Sequence, residues 1–124
     1  MARRFLGVDY GAKRVGLAIA DDAIKVARPW RIIERDHLPL VDTLRSLITS
    51  EGITDIVLGL PRNLDGDDTA QTAEVRQFAQ DLERLGLPVT LQDEALTSQN
   101  LPSSGQAVDD AAAAQILQDY LENH

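Results

Sequence analysis

An apolar run that stops on a carboxylate, turns on a glycine and comes back apolar leaves a chain few ways to fold. Phe5-Leu-Gly-Val-Asp9-Tyr-Gly11-Ala-Lys13-Arg14-Val-Gly16-Leu-Ala-Ile-Ala20 has this form. Phe5–Val8 and Val15–Ala20 read as two strands joined by a tight turn at Tyr10-Gly11-Ala12, because aromatic and β-branched residues flank a glycine-centred break. Asp9 stands where the first strand runs out of core, beside Lys13 and Arg14. Two readings of Asp9 stay open on these residues alone. Its carboxylate can pin the turn by accepting from nearby backbone N–H groups. It can also hold a metal, at a strand end rigid enough to fix ligand geometry.

Further along, Lys25–Ile33 reads as a third strand, with Pro29 placing it at a sheet edge. Leu40, Val41, Leu44, Leu47 and Ile48 recur at helical spacing, which predicts a helix over 39–50 stopped by Glu51-Gly52. Thr54–Gly59 is a compact apolar strand of the buried, parallel type. Leu60–Asp68 is a polar loop broken by Pro61 and Asp65-Gly66. Val75, Phe78, Ala79, Leu82 and Leu85 mark one face of a second helix ended by Gly86. Pro88–Gln92 reads as a fifth strand followed directly by Asp93-Glu94. Leu96–Val108 is mostly loop, and Asp109 opens a last helix with a stripe of Ala112, Ala113, Ile116, Leu117, Tyr120 and Leu121. The order β-β-β-α-β-α-β-α predicts one α/β domain over 1–124. It would be a mixed five-stranded sheet with helices on both faces.

Composition narrows the chemistry. The 124 residues include no cysteine and only two histidines, His37 and His124. Disulfides and zinc-thiolate sites are excluded, so metal chemistry would rest on carboxylates, which suit Mg²⁺ or Mn²⁺. No run approaches the ~18 apolar residues of a membrane span, so a soluble, cytoplasmic protein without a membrane partner is expected. Charge is uneven within the total of −8: residues 1–36 carry +3 and residues 37–124 carry −11. An acidic total counts against nucleic acid as partner, but the basic first third leaves room for a local phosphate-facing patch. Solvated strand faces would also account for those arginines.

Acidic residues recur at three breaks in the pattern: Asp9 at a strand end, Asp93-Glu94 at another, and Asp109-Asp110 at a helix start. Singly, each has an ordinary explanation as turn residue, solvated strand end or helix-start acid. Gathered at one crevice they would repel unless a divalent cation held them.

Four blocks together resemble the YqgF (RuvX) family. They are Gly7-Val-Asp9-Tyr-Gly11-Ala-Lys13-Arg14-Val-Gly16, Val57-Leu-Gly-Leu-Pro61-Arg-Asn63-Leu-Asp65-Gly66, Asp93-Glu94-Ala-Leu-Thr97-Ser98, and Val108-Asp109 with the apolar stripe that follows. They come in the family's order and span nearly the whole chain. The resemblance implies an RNase H-like fold of the Holliday-junction-resolvase type. It also implies a nuclease acting chiefly in maturation of the 5′ end of the 16S rRNA precursor. By position, its acidic ligands would be Asp9, Glu94 and Asp109, with Asp93 supporting and Asp110 a less favoured neighbour. Two departures stand out. Ala95 occupies a position where the family usually has arginine. Gln99–Val108, without a basic residue, replaces a longer segment that is helical and then Lys/Arg-rich.

The expectation is thus a Mg²⁺- or Mn²⁺-dependent nuclease cutting RNA, most simply an rRNA precursor, as a monomer or weak homodimer. Asp9, Glu94 and Asp109 would be its catalytic and metal-binding residues. Lys13, Arg14 and Arg62 would contact phosphate, while Asn63, Thr97 and Ser98 would bond the backbone or a ribose hydroxyl. The alternatives are a resolvase of branched DNA, which needs a two-fold dimer for paired cuts, and a catalytically weak RNA-binding protein of the same fold. Asp9-Tyr-Gly11 also resembles the first phosphate loop of actin-like ATPases. The second phosphate loop and subdomain of those proteins do not fit in this length.

Overall fold

The computed structural model describes residues 2–35, 39–62, 65–95 and 109–123, with the side chains of Glu94, Ala95, Asp109 and Asp110 outside that description. Strands β1 (Arg4–Tyr10), β2 (Arg14–Asp21) and β3 (Arg28–Glu34) come first. Helix α1 (Leu40–Glu51), strand β4 (Asp55–Arg62), helix α2 (Ala70–Glu83), strand β5 (Val89–Ala95) and helix α3 (Asp109–Glu122) follow. The five strands form one mixed sheet in the order β3-β2-β1-β4-β5. β1–β2 and β2–β3 pair antiparallel, while β4 pairs parallel to both β1 and β5. This is the expected α/β architecture.

Strand alternation splits the apolar residues between two cores. Leu6, Val8, Val15, Leu17, Ile56, Leu58 and Leu60 face α1 and α2, meeting Leu44, Ile48, Val75, Phe78 and Leu82. Phe5, Ala18, Ala20 and Val57 face α3, meeting Ala113, Ile116, Leu117, Tyr120 and Leu121. Interior strand β4 is covered on both faces, which explains its unbroken apolar run. Each large side chain buried here contributes about 1.5–3 kcal/mol. Helix ends follow local chemistry. Gly52, at φ 68°, closes α1, and Thr69 and Thr72 form a reciprocal capping box at the start of α2.

Three element boundaries differ from expectation. β3 begins at Arg28 rather than Lys25. The preceding stretch is instead held by α3, with Gln118 Oε1 accepting from Ala27 N–H at 2.9 Å. β4 runs on through Pro61 and Arg62. β5 correspondingly takes in Asp93, Glu94 and Ala95, because its pairing with β4 continues to Arg62↔Ala95. Local pattern puts Pro61 and Arg62 in a loop and Asp93-Glu94 just past a strand, but a partner strand alongside keeps all four extended.

Candidate functional site

Asp9 lies at the carboxyl-terminal end of β1, half-buried, on the α3 face of the sheet. Its neighbour across β2 is Gly16. On the other side, continuing the register Val8↔Leu58 by one residue brings Gly59 level with it. Asp9 is thus flanked by glycine on both neighbouring strands, and glycine inside a strand marks a place of close approach.

Helix α3 comes down just before this point. A Cβ added at Gly7 would stand 2.8 Å from Leu117 Cβ and 2.9 Å from Ala113 O, so only glycine admits the helix here. The rings of Phe5 and Tyr120 lie 6.0 Å apart. α3 therefore runs against β1, from Tyr120 over Phe5 back to Ala113 over Gly7. One turn further back, about 6 Å, is Asp109. Two residues further along β1, about 7 Å, is Asp9. The start of α3 and the end of β1 thus lie toward the same end of the sheet.

Register also sorts the Asp-Glu doublet. Leu60↔Asp93 and Pro61↔Glu94 pair along β4 and β5. Leu60 belongs to the α1/α2 core and Val57 to the α3 core. Alternation then puts Asp93 on the α1/α2 face and position 94 on the α3 face, the face of Asp9. β1 and β5 are separated by β4, two strand spacings or about 10 Å.

The β1–β2 turn is held from β3. Gly11 N–H donates to Arg14 O at 3.0 Å, and an added Cβ at Gly11 would lie 2.5 Å from that same oxygen. Arg35 donates from one terminal nitrogen to Gly11 O at 2.6 Å and Ala12 O at 3.0 Å, and from the other to Tyr10 Oη at 2.7 Å. Its guanidinium lies 4.3 Å from the Tyr10 ring centroid, and the other neighbour of that ring is Phe78, stacked at 4.2 Å. Exposed Lys13 and Arg14 project from this braced turn, and Arg14 falls on the Asp9 face opposite Glu34.

Arg62 does not join them. It follows Leu60 on the α1/α2 face, with NH1 3.5 Å from Asp68 Oδ1 and Nε 3.4 Å from Asp93 Oδ1. Asn63, Thr97 and Ser98 lie outside the described residues, as do His37 and the segment 99–108. Among the described residues no group of three metal-capable side chains forms, since two of the three expected ligands have side chains outside them.

Sequence reasoning missed the glycines that shape this end of the sheet, Gly7, Gly16 and Gly59, although glycine inside a strand is a signal of close approach. It also missed Arg35. Nothing local marks that residue, because its partners lie more than twenty positions away.

The chain matches the family model described as RuvX, Holliday junction resolvase, over residues 3–123. A protein of Maridesulfovibrio salexigens, named as a candidate pre-16S rRNA nuclease, is 45% identical over 97 residues, 77% of this chain and 72% of its own. Another of that name, from an Anaeromyxobacter species, is 38% identical and covers 96% of both chains. Among solved structures, T. thermophilus RuvC in complex with Holliday junction substrate matches at TM-score 0.59 and 12% identity. That match covers 98% of this chain and 94% of RuvC. The architecture is therefore the RNase H-like fold of RuvC, and the chain belongs to the RuvX family.

Proposed function

We propose that this chain is a divalent-metal-dependent nuclease that hydrolyses RNA phosphodiester bonds, in the cytoplasmic maturation of a 16S rRNA precursor. The names of its relatives support the substrate class. The observation that carries the reading is the end of β1: Asp9 between two glycines, on the sheet face that position 94 shares and that α3 packs against. Asp9, Glu94 and Asp109 are the acidic ligands and catalytic residues. Such a set of hard carboxylate oxygens fits Mg²⁺ or Mn²⁺ and not a softer ion. The ion, when bound, supplies Lewis acidity at the scissile phosphate and makes water a competent nucleophile at neutral pH.

The chain's own residues do the rest. Lys13 and Arg14, on a turn braced by Arg35, grip the backbone next to the scissile group. Asn63, Thr97 and Ser98 hydrogen-bond the substrate backbone or a ribose hydroxyl, the group that tells RNA from DNA. Asp9→Asn tests the reading, since it removes a ligand charge and almost no volume. Cleavage in Mn²⁺ should fall at least ~10²-fold with the melting temperature little changed. Wild-type cleavage by that variant at saturating Mn²⁺ would remove Asp9 from the site.

The family description favours a second substrate, branched DNA. Paired cuts at a four-way junction require a two-fold dimer, so sedimentation of the purified protein separates the two readings. A monomer supports RNA.

A further inference from the structure

Strands β3 and β5 form the two edges of the sheet. The register of β3 against β2 steps from Leu17↔Arg31 to Ala18↔Pro29, so Trp30 is the extra residue of a bulge. The bulge changes which side chains share a face. In an unbroken strand Arg28 and Arg31, three positions apart, would point to opposite faces. Here Arg28 stands opposite Ile19 and Arg31 opposite Leu17, both on the α1/α2 face and about 7 Å apart. Trp30 packs against the same core and stays half-buried. The Arg31 guanidinium lies 4.6 Å from its ring centroid.

Charge marks this edge further. Arg3, Arg4, Arg45, Arg62 and Arg76 each lie within 3.5 Å of a carboxylate. Arg28 and Arg31 are exposed and form no ion pair among the described residues. In a chain of net charge −8, uncompensated arginines around an aromatic ring suit a polyanion. An added strand suits the edge poorly. Arg14 O accepts from Gly11 N–H, so Arg14, Gly16 and Ala18 face β1. Pro29, opposite Ala18, therefore turns its nitrogen outward, where it offers no donor. The bulge also breaks the outer row, and a second copy laid two-fold across it would bring like charges together.

We propose that the β3 edge is a second contact for single-stranded RNA, separate from the metal centre. Arg28 binds a backbone phosphate. Arg31, held against Trp30, offers its planar guanidinium as a stacking surface for an unpaired base, which a duplex would keep covered. Ile32, the next residue, is 41% exposed and stands level with Gly16 and so with Asp9, two strand spacings or about 10 Å away. One RNA strand can therefore engage both places. This rests on the reading of RNA as substrate.

Trp30 is the chain's only tryptophan, so its fluorescence reports on this edge directly. In EDTA, where nothing is cleaved, a single-stranded RNA oligomer should quench it over the same concentration range that raises the anisotropy of a labelled copy. Arg31→Lys keeps the charge but not the plane, and should weaken binding about 5- to 10-fold with the salt slope unchanged. Arg28→Gln should lower that slope by about one. Arg84→Gln, at an exposed position on the end of α2, should alter neither. RNA binding that leaves Trp30 unchanged, and is equal in wild type, Arg28→Gln and Arg31→Lys, overturns the proposal while RNA stands as ligand. A Trp30 change that follows protein concentration without RNA assigns the edge to a second copy and overturns it too. If wild type binds no single-stranded RNA at low salt, the substrate reading falls and this proposal with it. Asp9→Asn should keep the Trp30 signal. If that variant also cleaves like wild type, the metal site falls and the edge contact stands.

Discussion

Gly7→Ala probes fold and site in one step. The new methyl would lie 2.8 Å from Leu117 Cβ and 2.9 Å from Ala113 O, where carbon contacts are optimal at about 3.5–4.0 Å. Neither neighbour can swing away, since one is a Cβ and the other a backbone oxygen. Helix α3 must therefore rise or slide by roughly 1 Å. Overpacking of this kind costs about 1–3 kcal/mol, and the reduced freedom of the unfolded chain offsets about 0.4–1 kcal/mol of it. A net loss near ~1–2 kcal/mol lowers the melting temperature by roughly 4–8 °C in a domain of this size. The protein stays folded at 25 °C, but the helix that begins with Asp109 is displaced relative to Asp9. Misplacement on this scale can cost up to ~10²-fold in rate. Calorimetry and single-turnover cleavage with excess enzyme read the two effects separately, and the rate should fall far more than the folded fraction. Leu117→Ala should not rescue the variant, because it leaves the clashing Cβ in place. A Gly7→Ala protein that melts within about 1 °C of wild type and cleaves at its rate would refute the close seating of α3 and the site built on it.

Two further outcomes follow from particular contacts. Thr72 is fully buried, and its hydroxyl accepts from Thr69 N–H and donates to Pro61 O. Thr72→Val keeps the shape and strands both partners, so urea denaturation should show a loss of about 2–3 kcal/mol. At the opposite end of the sheet, Asp55 has its pKa lowered, chiefly by the hydrogen bond from Arg3 at 2.8 Å and then by Thr54. A depressed folded pKa stabilises above the unfolded carboxylate range and ceases to do so as pH falls through the folded value. The melting-temperature gap between wild type and Asp55→Asn should thus be full at pH 6 and close on acidification below about pH 4. It should also shrink in high salt, since Arg3 is half exposed.

The order of elements along the chain and the helix faces were legible because each rests on a period: two for Val15-Gly-Leu-Ala-Ile, near four for Leu44-Leu47-Ile48. The carboxylate positions were legible as breaks in those periods. Which acids share a face was harder to read. Asp93 and Glu94 are adjacent in the chain, and only their placement inside β5, opposite Leu60 and Pro61, separates them. That placement depends on β4 running two residues past its apolar stretch, which no local pattern announces. The carboxylates around Arg62 were hidden for the same reason. Its partners Asp68 and Asp93 come from a loop and a neighbouring strand, and the strand partner is visible only once that strand is paired.

The two faces of the sheet explain why a chain with net charge −8 can still hold a compact acidic site. The α1/α2 face carries large side chains, Leu6, Val8, Leu17, Ile56, Leu58 and Leu60, and has no room beside them. On the α3 face the same strands carry Gly7, Gly16, Ala18, Ala20 and Gly59, small residues that let a helix lie close. α3 covers Phe5 through Gly7. Glycines also stand on both sides of Asp9, Gly16 on β2 and Gly59 on β4. Tilting α3 off Gly7 or filling Gly16 or Gly59 would therefore alter the same space from different sides. Gly16→Ala, which adds a methyl beside Asp9 without touching the Gly7 contact, should impair Mn²⁺ binding more than it impairs folding.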